Sequence, residues 1–136
     1  MNISFSLGTT FFESITYDKD ADSWLIHFTS DVIVNIEGFW RLLEKNQIVF
    51  VSMDHGHLFG LAAPVDLAKE MTSKLENIEL LEIKVEDEIG DLTLVFDDDF
   101  RMQVFIASTG YETYQVSSGK IIYIGLGSGE IAIFER

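Results

Sequence analysis

Three short stretches carry residue types that could do chemistry. GLGSGE (Gly125–Glu130) follows the hydrophobic run IIYI and resembles the start of a phosphate-cradling loop. MDHGH (Met53–His57) sets His55 and His57 two apart, so that on a strand both imidazoles would face one side and could share a metal ion with His27. Asp97, Asp98 and Asp99 form a run of carboxylates suited to a cation or to a basic partner.

The first two stretches read better as turns. A dinucleotide fingerprint needs its glycines between a strand and a helix, so that the helix N-terminus faces the phosphates. Here the glycines are one residue short of the G-x-G-x-x-G spacing, and a short apolar run, Ile131–Phe134, follows them. His55-Gly56 is an X-Gly pair of the kind a tight turn demands on backbone grounds. His27 alternates with Trp24, Ile26 and Phe28 and so faces away from them. A metal-binding protein or hydrolase built on His27, His55 and His57 is the alternative reading.

The carboxylates carry more. Asp is a standard turn former, but three in a row repel one another and cost stability unless something is gained. Glu86, Asp87 and Glu88, with Asp91 nearby, make a second acidic turn just before them. Neither run has calcium-loop spacing. The expected role of Glu86, Asp87, Glu88, Asp91, Asp97, Asp98 and Asp99 is a docking surface for a partner. Of the aromatics in the bends, Trp40, Tyr111 and Tyr114, two are expected in the core. Trp40 and Tyr111 are candidate partner anchors of the kind that dominate interfaces. G-x-S-x-G, H-E-x-x-H and the P-loop lysine motif are absent. The expectation is a binding protein without catalytic residues, metal or cofactor.

The elements that must position these residues are written twice. Ser14–Ile36 lies over Glu82–Val104 without a gap, at an offset of 68 residues. Trp24, Ile26 and Phe28 fall on Leu92, Leu94 and Phe96, and Val32, Val34 and Ile36 fall on Phe100, Met102 and Val104. These are alternating positions on one face of a strand. After small insertions GFWRL (Gly38–Leu42) sits over GYETY (Gly110–Tyr114), and IVFVSMDHGHL (Ile48–Leu58) over IIYIGLGSGEI (Ile121–Ile131). Each copy reads as five strands joined by turns, antiparallel and rich in Val, Ile, Phe and Tyr. Between the copies the spacing predicts a helix over about 64–76, with Pro64 in its first turn, Leu67, Met71 and Leu75 as its apolar stripe, Glu70 and Lys74 as a supporting pair, and Asn77 as its stop. The predicted fold is mainly β (α+β): antiparallel sheet from two similar β-meander repeats, about 11–61 and 79–136, joined by one helix. A single domain over 1–136 is expected, because roughly 50 residues of meander bury too little alone.

Composition narrows the partner. The formal net charge is −14, from 23 acidic and 9 basic residues, spread over both halves. Such a field disfavours nucleic acid and anionic membranes, and it steers basic proteins toward the molecule. The absence of cysteine fits the cytosol. The N-terminus lacks the basic and apolar regions of a signal peptide, no window reaches the length of a membrane span, and a cytoplasmic location is the expectation.

GYETYQVSSGKIIYIGLGSGEIAIFE (Gly110–Glu135) is similar to the end of a family of small bacterial proteins of unknown function. Those proteins close with a Tyr-x-x-aromatic, a polar loop, a hydrophobic strand, a Gly-Gly-type turn and a short apolar strand. FTSDVIVNI and FDDDFRMQV resemble the family's duplicated hairpins. Some members resemble immunity proteins of polymorphic or contact-dependent growth inhibition toxin systems. The pattern marks fold, so no functional residue carries over. What the resemblance implies is an acidic cytosolic antidote that binds and neutralises a basic toxin domain, with a nuclease as the expected type. A generic β-rich adaptor is the remaining alternative.

Overall fold

Alternating apolar residues dictate twelve strands, seen in a computed structural model that describes residues 2–5, 7–86 and 88–135. In chain order they are β1 (Asn2–Phe5), β2 (Phe12–Asp18), β3 (Ser23–Phe28), β4 (Val32–Ile36), β5 (Phe39–Glu44) and β6 (Gln47–Val51), then the helix α1 (Leu67–Leu75). They continue with β7 (Leu80–Glu86), β8 (Leu92–Phe96), β9 (Phe100–Phe105), β10 (Tyr114–Ser118), β11 (Ile121–Gly125) and β12 (Ile131–Glu135). Every described pairing is antiparallel. One six-stranded sheet runs β1-β7-β8-β9-β5-β6, the other β12-β11-β10-β4-β3-β2. They face each other across one core: Phe28 meets Phe96 at 6.1 Å, Phe5 stacks on Tyr123 at 3.9 Å, and Trp24 stands perpendicular to Trp40 at 5.1 Å.

The duplication is real in three dimensions, and its copies are interleaved. Each sheet combines a three-strand meander from one half, a hairpin from the other and one added edge strand, β1 beside β7 in one sheet and β12 beside β11 in the other. β5 pairs with β9, and β10 pairs with β4. The correspondence reaches single residues. The β2–β3 ladder is interrupted between Phe12 and Ser14, and the β7–β8 ladder between Leu80 and Glu82, 68 residues on. The bridge between Phe11 and Glu79 lies at the pseudo-twofold axis. There Phe12 N donates to Ile78 O and Leu80 N to Thr10 O, each bond the image of the other.

Three sequence expectations need correcting. Trp40 sits opposite Val104, and Tyr114 opposite Ile36, so Trp40 and Tyr114 are the equivalent pair. Placing GFWRL directly over GYETY is therefore two residues out of register. The β9–β10 connection, residues 106–113, is longer than the β4–β5 connection, residues 37–38, by more than the sequence alignment allowed. The helix begins at Leu67 rather than Pro64, because the Asp66 carboxylate caps it by accepting from Lys69 N at 3.2 Å. Leu67, Met71 and Leu75 are buried as expected, and Asn77 (φ 62°) ends the helix in the left-handed region. Lys74 reaches Glu44 of β5 at 3.3 Å instead of pairing with Glu70. Among the described residues no helix is long and apolar enough to cross a membrane.

Candidate interaction surface

The two acidic turns lie apart. Asp97–Asp99 closes the β8–β9 hairpin, while residues 86–91 connect β7 to β8, so the clusters sit at opposite ends of β8 and form no common surface. Asp87 lies outside the described residues. Glu86, Glu88, Asp97, Asp98 and Asp99 are exposed. Among the described residues the ion pairs are Lys74–Glu44 and Lys84–Glu82, so these carboxylates stay unpaired. Asp91 is half-buried and structural: its Oδ1 accepts from Ile106 N at 2.9 Å.

The backbone of the β8–β9 turn does not require acid. Asp98 and Asp99 have φ of 59° and 63°, and their counterparts Ser30 and Asp31 both have 61°. Each pair of left-handed residues suits the two-residue hairpin turn that matches strand twist. The same backbone geometry is achieved with Thr29-Ser30-Asp31; Asp97 Oδ1 accepts from Asp98 N at 2.9 Å within the turn, and the negative charges at 97 and 98 are what the second turn adds to the first. They border a groove of about 710 Å³ that also takes in Lys45, Asn46 and Arg101.

The glycine cluster positions the other acidic turn. A side chain at Gly129 would place its Cβ 2.1 Å from Ile89 O, and Gly129 also needs its φ of 88°. At Gly125 a Cβ would lie 2.3 Å from the Tyr114 ring. The Tyr114 hydroxyl in turn donates to Gly90 O at 2.8 Å. GLGSGE is therefore a 3-10 turn whose missing side chains let it seat against residues 89–90. Burial pushes the Tyr114 phenol above its ordinary 10.0, with Asp91 adding in the same direction. The folded protein then holds that proton more tightly than the unfolded chain, so the stability involved is complete below pH about 10 and is lost as pH rises beyond it. Urea midpoints should be flat up to about pH 10 and fall above it. Tyr114→Phe should cost about 1 kcal/mol at neutral pH and flatten the alkaline fall. An unchanged alkaline slope in the variant would contradict the assignment.

Of the two candidate anchors read from sequence, Tyr111 is exposed and Trp40 is not. Trp40 is fully buried and cannot meet a partner; it leaves the surface set because it fills the core opposite Trp24. Tyr111 is 81% exposed on the β9–β10 connection, and Tyr114 is core. The histidines do not converge either. His27 faces outward on β3, and His57 is exposed and stacked near Phe59 at 5.5 Å. His55 packs its ring on Trp24 and Tyr17, and its Nδ1 accepts from Leu67 N at 3.1 Å at the start of α1. Among the described residues no group of three His, Cys, Asp or Glu could hold a metal ion. His27, His55 and His57 therefore form no such metal-holding group among the described residues.

Sequence reasoning missed the segment after His57. Leu58, Phe59 and Leu61 are all exposed, as are Met53, Ile48 and Val49 just before them. The loop is pinned at its neck, where Gly56 N donates to Val65 O and Val65 N to His57 O, both at 2.8 Å. Its signal was in the sequence: HLFGLAAPV is apolar yet carries turn residues, a combination that neither strand nor helix accounts for. Comparison with protein-family models, curated proteins and solved structures returns no match.

Proposed function

We propose that this chain is an acidic binding protein that neutralises a basic partner, an immunity-type inhibitor of a toxin domain acting in the cytoplasm by occupying the partner's surface rather than by catalysis. The observation that carries this reading is the Asp97–Asp99 turn, where exposed, unpaired charge has been added to a geometry that its counterpart at Thr29–Asp31 reaches without it. The net charge of −14 supplies the long-range field for such a partner. A nuclease, basic because it grips phosphates, is the partner type with the matching sign.

The test is titration against the product of the neighbouring gene at salt from about 0.05 to 0.5 M, a range over which exposed charges become screened. Affinity should fall by at least about ten-fold across that range. Replacing Asp97, Asp98 and Asp99 together by Asn should weaken binding at low salt by about 10- to 100-fold, with the thermal transition unmoved. Absence of binding, or an affinity indifferent to salt, removes the reading. A triple variant that folds and binds as before removes this turn from it.

A further inference from the structure

The pseudo-twofold leaves two edge positions unfilled, one beside β2, where its counterpart β7 has β1, and one beside β6. β6 corresponds to β11, at the offset of 73 residues that carries Phe50 onto Tyr123 through their partners Leu42 and Val116. Gly56 then falls on Gly129, with φ of 82° and 88°. After Gly129 the chain turns back and adds β12 to the open side of β11. After Gly56 it enters the pinned loop instead, so β6 ends its sheet with a neighbour on one side only. A groove of about 570 Å³ is lined by Val49 and Phe50 of β6 and by Phe59 and Leu61 of the loop.

Two further observations give the groove a use. Phe59, 64% exposed, is held at φ 46° at the loop tip. A bulky residue in the left-handed region is strained, and the Phe59 ring meets only the exposed His57 imidazole among the ring contacts, at 5.5 Å. The rim carries Asp54, Asp66 and Glu70 against Lys69 alone. We propose that β6 receives an extended segment of a partner protein, added as a seventh strand, with apolar side chains between Val49 and Phe59 and with basic residues at its ends meeting Asp54, Asp66 and Glu70. Main-chain hydrogen bonds supply affinity in this mode, and alternate side chains supply selectivity. For the identity of the partner this rests on the inhibitor reading above; the site stands on the pseudo-symmetry.

The experiment uses the intact chain and a labelled nine-residue peptide alternating valine with threonine and ending in lysine at both ends. A glutamate-ended counterpart and a version with a central proline serve as controls. The lysine-ended peptide should bind saturably, at least ten-fold tighter than either control, and should slow amide exchange at Ile48–Val51. Leu61→Ser should weaken it at least ten-fold. Phe59→Gly should weaken it equally while raising Tm by a few degrees, because the strain is relieved as the anchor is lost; a purely structural Phe59 would not give both. Failure of a millimolar concentration of the peptide to protect β6, or binding indifferent to Phe59→Gly and Leu61→Ser, overturns the proposal. If the neighbouring gene product binds the Phe59→Gly protein undiminished yet loses the Asp97–Asp99 variant, the strand site falls and the inhibitor reading stands.

Discussion

Residues 1–60 produced alone are expected to stay unfolded, as are residues 61–136, and a mixture of the two is expected to recover the native circular dichroism. The cut falls in an exposed loop, which costs the folded state little. The reason for the failure of each half is the exchange of hairpins. β5–β6 from the first half completes the sheet of β7–β9, through six residue pairs between β5 and β9. β10–β11 from the second half completes the sheet of β2–β4, through five pairs between β10 and β4. An isolated half keeps a meander and a hairpin that cannot pair with each other, and a lone hairpin is marginal in water. Trp40, Leu42, Tyr114 and Val116, all buried in the whole, would stand in solvent. The expected loss is the entire folding free energy, about 5–15 kcal/mol for a chain of this size. Urea melts of each fragment check it. A folded, monomeric half overturns the prediction. A folded dimer of one half does not, because hairpins exchanged between copies meet the same need.

Trp40→Ala is expected to cost about 3–5 kcal/mol, by loss of buried apolar area and by the cavity left against Trp24. Among the described residues the buried Trp40 Nε1–H has no hydrogen-bond partner. It lies on a ring perpendicular to Trp24, where a ring edge meets a π face and the contact is weakly favourable. Trp40→Phe should therefore cost much less, about 1–2 kcal/mol, since the group it removes was unpaired. Tyr111→Ala, at the other aromatic once grouped with Trp40, should stay within about 0.5 kcal/mol of the parent. Urea midpoints of the three variants separate core from surface. Similar losses at Trp40 and Tyr111 would contradict their assignment.

The acidic clusters show how far local reading reaches. That Asp97–Asp99 closes a hairpin follows from the strands on either side, and the structure agrees. That it shares no surface with residues 86–91 follows from β8 lying between them, a distance the sequence implied only once β8 was drawn straight. Trp40 was ambiguous for a different reason. A tryptophan after a glycine bend suits core and interface alike, and only the partner across the sandwich decides.

The sequence by itself determined the strands, the duplication and the apolar stripe of the helix, because alternation and four-residue recurrence are local consequences of which face must leave water. It also determined the net charge. The tertiary structure alone decided that the halves exchange hairpins. Pairing β5 with β9 or with β4 satisfies the same alternating pattern, so the choice rests on which arrangement lets both sheets close over one core. It also decided that Gly129 meets Ile89 and that β6 is left open, since close approaches and unfilled edges belong to the packed whole and to no stretch of the chain.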